Sequence, residues 1–585
     1  MFASLKLGLI ARYLRPQRQQ LIKGGLALLV VNLLGTALPL LVQKTVNSLT
    51  PGFSLTNLLH QALWIALLAS AMAGVRLWSR VLVFGAGRQV EVLLRQRIFD
   101  HLLKQEPGWV QSAGSGEVIS RSTSDVENVR RLLGFAVLSL ANTALAYAFT
   151  LPAMLAIDPW LSLAAIVLYP LMLVIVGASG SRMMSQQRQQ QQNLAELSDL
   201  IQEDLSGISA IKIYGQEATE VGAFASLSRR YRDAAIALAR TRSILFPLLE
   251  GISSLSLLVL LALGSGQLER GSLSLGGLIA LILYIERLVF PTALLGFTLS
   301  SFQTGQVSLE RVEDLLSRES RIQNPSQPIE LKLDPEGATI EARNLTVRYP
   351  GAQRNSLEDL NFQIKSGELV AVVGPVGSGK TTLARALGRM LEIPDGQLFL
   401  NKQDITSLNL NDLRKQIAMV PQEGYLFSAT LAENLSYGNP NASLESLDRV
   451  VQQAQLKADL DGFPDRYQTI VGERGITLSG GQRQRSSLAR ALLVDTPLLV
   501  LDDALASVDN RTAAAILQSL TINLKRTVLF ISHQLSTAAA CDRVLVIVDG
   551  RLVQEGTHRK LLAEEGTYRK LWEREKANTE LEAAA

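Results

Sequence analysis

Gly374-Pro375-Val376-Gly377-Ser378-Gly379-Lys380-Thr381 is the stretch that decides the fold of the second half of this chain. Its spacing is that of a phosphate-binding loop, in which backbone N–H groups close around phosphate oxygens. The helix that follows points its positive end at them. Such a loop requires a strand before it and a helix after it. The apolar run Leu369–Val373 supplies the strand, and 382–390 reads as the helix. In that frame Lys380 reaches the β- and γ-phosphates, and Thr381 offers its hydroxyl to Mg²⁺. A second apolar run, Leu498-Leu499-Val500-Leu501, reads as a buried parallel strand and ends on two adjacent carboxylates, Asp502 and Asp503. Further runs at 340–349 and 360–373 read as strands, so this half is an α/β core with a β-rich subdomain.

The other half of the 585 residues is of a different kind. Hydrophobic residues make up 47% of the chain, and the excess lies upstream of the loop. Six stretches there are long enough to cross a bilayer, which takes about 20 helical residues: 24–43, 56–75, 132–157, 159–181, 243–268 and 274–300. Only Glu250, Glu286 and Arg287 place charge well inside them. Lys6, Arg12, Arg15, Arg18 and Lys23 crowd the N-terminus, and 80–131 and 182–242 are rich in Arg. The positive-inside tendency then puts these segments, both termini and the nucleotide-binding half in the cytoplasm. Residues 90–103 repeat apolar positions at helical spacing, so the second span continues outward; a helix over 76–105 would reach about 45 Å. The Gln-rich run 185–193 fits a solvated helical face. Residues 1–20 are amphipathic and basic, an elbow for the inner membrane surface, without the cleavage site of a leader. Residues 318–337 hold three prolines and no helical period. The expected organisation is a membrane domain over 1–317, a linker over 318–337 and a nucleotide-binding domain over 338–585. A net charge of +4 is small for this length and implies no nucleic-acid partner. The single Cys541 allows no internal disulfide and reads as a packed residue.

Between the loop and the paired carboxylates lies Leu478-Ser479-Gly480-Gly481-Gln482. These three elements, in this order and spacing, resemble the nucleotide-binding domain of ATP-binding-cassette (ABC) transporters, and the resemblance extends over the whole chain. It implies the exporter fold: six long transmembrane helices fused to one α/β ATPase domain. By position, Tyr349 would stack on adenine, Gly374 to Thr382 would hold the phosphates, and Asp502, Thr381 and Gln422 would hold Mg²⁺. Gln422 and His533 would attend the γ-phosphate and the attacking water. Ser479, Gly480, Gly481 and Gln482 would meet ATP bound to the opposite subunit, and Ser507-Val508-Asp509 would join the two sites. Leu426-Phe427 resembles the pocket for a coupling helix, and Val471-Gly472-Glu473-Arg474-Gly475 a short element beside it. Residues 116–126 resemble the first coupling-helix region, and Gly207 to Lys212 with Tyr214 and Glu217 the second. His60, His101 and His558 have no such context and read as structural or surface residues.

One residue departs from the family pattern. The position of Asp503 is normally Glu, the base that polarises the attacking water, and here the carboxylate is one methylene shorter. The sequence Leu501-Asp502-Asp503-Ala504-Leu505-Ala506-Ser507-Val508-Asp509 resembles the degenerate half of bacterial heterodimeric multidrug exporters. The implied function is ATP-driven export of hydrophobic or amphipathic small molecules or lipids across the cytoplasmic membrane, in partnership with a second, non-identical half-transporter. The alternatives are a homodimeric lipid flippase or drug exporter with Asp503 as a slow base, and an ATP-gated regulator or channel. Within the spans, Glu250 and Arg287 can pair across the fifth and sixth helices, or a cavity carboxylate can favour cationic cargo.

Overall fold

The computed structural model describes residues 7–49, 54–332, 337–472, 475–522 and 526–584. The chain forms two compact units: Met1–Leu103 with Ala113–Arg318, and Lys104–Ser112 with Glu319–Ala585. Among the described residues of the first unit, six helices are long and apolar enough to cross a membrane: Gly8–Asn47, Leu55–Leu102, Ser115–Ile157, Pro159–Ser206, Glu217–Glu269 and Leu275–Ser317. Each covers one expected span, the sixth beginning one residue later than expected, with Ser274 as its cap. The second helix has 48 residues, so at 1.5 Å per residue it is about 72 Å long. It continues well past its apolar part, as the charged periodicity requires. The elbow is a helix over Leu7–Leu14, turned into the first span at Arg15–Gln17, where Pro16 sits in the opening turn. Residues 1–6 of the expected elbow lie outside the described residues.

Helix boundaries follow local chemistry. Asp158 accepts a hydrogen bond from the Leu161 amide at 2.9 Å, and Pro159 opens the fourth helix, which makes a tight reversal after the third. Ser274 caps the sixth helix through the Gly277 amide at 3.0 Å. The third helix is widened by two π-helical stretches, Arg121–Asp125 and Leu132–Ala136. Between them Arg130 reaches the buried Glu91 of the second helix at 3.3 Å, and Arg88 and Arg95 reach the same carboxylate at 3.0 and 2.8 Å. Asp125, also buried, accepts from Ser308 at 2.7 Å and pairs with Arg311 at 3.1 Å. Buried charges are tolerable only when partnered in this way.

Residues 116–126 open the third helix inside the membrane unit, held by Arg121 to Asp314 at 3.1 Å. The turn grouped with the nucleotide-binding half is Lys104–Ser112, which holds most of the short helix Pro107–Ala113. The second expected region is a short helix, Ile208–Tyr214, stopped by Gly215 in the left-handed conformation (φ 62°). Its Ile213 and Tyr214 are 77% and 76% exposed.

Among its described residues the second unit carries ten strands: β1 Ile340–Val347, β2 Leu357–Ile364, β3 Leu369–Val373, β4 Leu398–Leu400, β5 Gln403–Asp404, β6 Ile417–Val420, β7 Leu498–Asp502, β8 Thr527–Ile531, β9 Arg543–Val548 and β10 Arg551–Gly556. One sheet is antiparallel, in the order β2-β1-β4-β5. The other has the order β10-β9-β3-β8-β7-β6, parallel from β9 to β6. The expected single run 360–373 is two strands, because Gly367 turns the chain at φ 70° between β2 and β3. Every residue of β3, β7 and β8 is buried, the mark of parallel strands covered on both faces. Their C-terminal ends lie side by side, where open α/β sheets bind ligands.

Candidate ATP site

β3 ends at the phosphate loop. Gly374 has φ 154°, and a Cβ there would lie 2.0 Å from the Ile547 carbonyl; at Gly379 (φ 101°) it would lie 2.3 Å from the Ser356 carbonyl. Only glycine lets the loop pass so close to its neighbours. The helix Lys380–Leu387 follows directly. The Lys380 ammonium is buried and donates to the Gly374 and Pro375 carbonyls at 2.8 Å each and to Ser378 at 3.4 Å. These carbonyls hold the charge over the mouth of the loop, and the tip residue Val376 is 89% exposed. Thr381 donates to Asp502 at 3.1 Å, and Thr382 hydrogen-bonds Tyr349 at 3.4 Å.

β7 delivers the two carboxylates. Asp502 is its last residue, and the Asp503 amide continues the pairing with Ile531 of β8 at 2.9 Å. Asp503 then turns into the left-handed region (φ 49°), which Asp and Asn enter more readily than most residues. Its carboxylate is buried and stands 3.5 Å from the Gln422 amide nitrogen. His533 follows β8 two residues on. Burial lowers the Lys380 pKa against the opposing pull of Asp503 and Asp502. Burial raises that of Asp502; the Thr381 bond opposes the rise and the Asp503 charge adds to it. Burial and then the Lys380 charge lower that of His533, with Asp503 opposing. The phosphate loop, both carboxylates, Gln422 and His533 are thus brought into one cluster. Among the described residues no three His, Cys, Asp or Glu side chains converge as a ready metal cage. The oxygens of Thr381 and Asp502 suit a hard divalent cation that keeps most of its remaining ligands from phosphate and water.

Ser479 opens the helix Gly480–Leu493 with a capping box: it accepts from the Gln482 amide at 3.2 Å, and Gln482 accepts the Ser479 amide at 2.9 Å. A Cβ on Gly481 would meet the Ser507 carbonyl at 2.9 Å, so the helix start rests directly on Ser507. Glu473 and Arg474 of the element 471–475 lie outside the described residues. Leu426 is wholly buried in the core; the exposed aromatic face belongs to Tyr425, Phe427 and Tyr437, with Phe427 and Tyr437 stacked at 4.6 Å. Arg490 is set behind them by hydrogen bonds to the Tyr425 and Asn434 carbonyls at 2.9 and 2.8 Å. His558 is bonded to Tyr568 at 2.7 Å and packs on Trp572, a structural role as expected.

Sequence reasoning missed Gln484. Two residues past the motif, it is buried; it accepts the Ser507 amide at 2.8 Å and donates to the Asp503 carbonyl at 3.5 Å. One side chain therefore links the helix begun by Ser479 to Asp503 and Ser507. The available signal was a polar residue on the apolar face of an amphipathic helix.

In the membrane unit, Arg287 donates to the Asn32 carbonyl at 2.9 Å and to Thr36 and the Asn32 side chain at 3.2 Å each. The expected pair with Glu250 is not formed among the described residues. Glu250 instead lines, with Glu286, a cavity of about 430 Å³ between the fifth and sixth helices.

Residues 21–292 match the family model described as the ABC transporter transmembrane region, and residues 357–506 the model described as ABC transporter. The chain is 31% identical to the probable multidrug resistance ABC transporter ATP-binding/permease protein YheI of Bacillus subtilis (strain 168), over 95% of each. This chain is an ABC exporter. The exporter is also 31% identical to the multidrug resistance-like ATP-binding protein MdlA of Escherichia coli (strain K12), covering 92% of this chain and 91% of that one. It is 29% identical to the ATP-dependent lipid A-core flippase of Syntrophus aciditrophicus (strain SB), over 94% and 91%. A solved structure of a bacterial Atm1-family ABC exporter with ATP bound superposes with a TM-score of 0.78 at 26% identity, covering 95% of the exporter and 99% of that chain. The exporter is a multi-span membrane protein whose ATPase domain drives transport.

Proposed function

We propose that this exporter is the slow-ATPase half of a heterodimer that moves hydrophobic or amphipathic molecules, lipids included, out across the cytoplasmic membrane. The observation that carries the reading is Asp503: buried, in the left-handed conformation, its short carboxylate 3.5 Å from Gln422. A well-placed base contributes about 10² to 10⁴ in rate, and near-attack geometry is intolerant of about 1 Å. A missing methylene costs about that distance. Tyr349 receives the adenine, the loop amides and Lys380 hold the phosphates, and Gln422 and His533 attend the γ-phosphate. Thr381, Asp502 and Gln422 hold Mg²⁺, which supplies charge neutralisation on the phosphate oxygens. The intact Ser479–Gln482 cap completes the partner's site, so hydrolysis runs on the partner's Glu. The cluster of Lys and Arg outside the spans supports a cytoplasmic ATPase and cytoplasmic termini.

Steady-state ATPase of the co-purified complex tests this. Asp503→Asn should change turnover by less than about twofold, while removal of the partner's Glu should lower it about 10²-fold or more. A large loss from Asp503→Asn would instead support the homodimer.

A further inference from the structure

A second cavity of about 710 Å³ lies among the first, second, third and sixth helices of the membrane unit. Three arginines line it, Arg76, Arg80 and Arg287, against one carboxylate, Glu286. Phe135 and Phe290 supply apolar wall. Among the described residues none of the three guanidinium groups has an ion-pair partner. Arg76 touches the Met72 sulfur at 3.7 Å, and Arg287 is oriented by Asn32 and Thr36. Gly35 makes room for Arg287: a Cβ there would lie 2.7 Å from the guanidinium carbon. Charges at bilayer depth are costly, and they face a cavity or a partner for a reason.

The three are arranged in depth. Ser79 of the second helix donates to the Gly24 carbonyl at 2.9 Å, at the start of the first span. Arg80 is at that level. Arg76 is one turn further in on the same face, because residues four apart are neighbours on a helix. The Asn32 and Thr36 contacts of Arg287 lie eight and twelve residues beyond Gly24, about 12 and 18 Å deeper at 1.5 Å per residue. A planar fork of donors matches phosphate or carboxylate oxygens two at a time.

We propose that this cavity binds an amphiphile with an anionic headgroup, the headgroup passing from Arg80 to Arg76 to Arg287 while its tail lies against the phenylalanines and lipid. The proposal rests on the export reading only in taking the cavity for cargo. Binding is therefore measured without nucleotide, and its failure would leave the two-site ATPase reading standing.

The test uses the full chain in phosphatidylcholine nanodiscs, with radiolabelled dodecyl phosphate as probe in equilibrium dialysis. Dodecyl phosphate should bind saturably, and dodecyltrimethylammonium of the same chain length should not displace it. Inorganic phosphate should fail to compete at concentrations where dodecyl phosphate saturates; equal competition would overturn the amphiphile. Arg76→Gln with Arg80→Gln should weaken binding about 10-fold or more, the loss expected for a charge-assisted contact. Arg76→Lys with Arg80→Lys should hold it within about threefold. Labelled-ATP binding checks that each variant is folded, since these residues lie outside the ATP site. Unchanged affinity in a folded Gln variant, or stronger binding of the ammonium probe by the unsubstituted chain, would overturn the proposal.

Discussion

Lys380 shows how one residue can lower the stability of the nucleotide-free protein for the sake of its ligand. Its ammonium is buried among carbonyls, and desolvation holds its pKa below the ordinary lysine range. A depressed base is most favourably accommodated once neutral: its contribution to stability is present above the ordinary lysine pKa and is lost as pH falls through the depressed value. Below the depressed value the charged lysine therefore weighs against the fold until phosphate arrives. Lys380→Met should leave the melting temperature without nucleotide unchanged or higher. It should also abolish the rise with ATP, which at a hundred times Kd corresponds to about 2.7 kcal/mol in the parent; thermal unfolding of the purified chain checks both. A lower melting temperature of the nucleotide-free variant would contradict this account. His533 gives a second test. Burial and Lys380 push its pKa down while Asp503 pulls it up, so Asp503→Asn should lower it further. The imidazole then stays neutral to a more acidic pH, which NMR titration of the ring reads directly; an upward move would contradict the assigned neighbours.

At the scale of elements, what could be read in advance was whatever a short window holds. Leu369–Val373 followed by the glycine loop announces a strand and a helix, and twenty apolar residues announce a span. That residues 116–126 open the third helix was not legible, because a short helix and the opening turns of a long one share the same periodicity; the packing of Asp125 on Ser308 and Arg311 fixes their place. The break at Gly367 hid inside an apolar run. The partners of Arg287 lie more than 250 positions away, at Asn32 and Thr36, and no local pattern reports them. Gln484 fell just past the motif, and its importance depends on a loop folded back from Asp503 and Ser507. Its replacement is a test of the element: Gln484→Leu strands the Ser507 amide without its acceptor, at a cost of about 1–3 kcal/mol. The melting temperature should fall by several degrees, and ATPase of the assembled complex should fall more than the stability loss explains, because Asp503 and Ser507 are both released. Unaltered turnover per folded complex would reduce Gln484 to a packing residue.

The whole molecule offers a convenient probe of its own orientation. Cys541 is its single cysteine, buried, with burial pushing the thiol up to about 12. The native chain is thus a nearly silent background for thiol labelling. In intact cells, a membrane-impermeant maleimide should label Ser272→Cys, between the fifth and sixth helices, and spare Gln189→Cys in the extension of the fourth, proposed to be cytoplasmic; the reverse pattern would invert the proposed topology. Gln484 also has a consequence for timing. If, as proposed, the cap faces the partner's nucleotide and Asp503 this chain's own, the Gln484 side chain that joins them makes the two occupancies thermodynamically linked, and linkage between binding sites is reciprocal. Whatever factor the quick site imposes on the slow one is returned in full. In the proposed heterodimer, a half that hydrolyses slowly would keep its nucleotide through several strokes of its partner, and so would carry a record of the last stroke into the affinity with which the next begins.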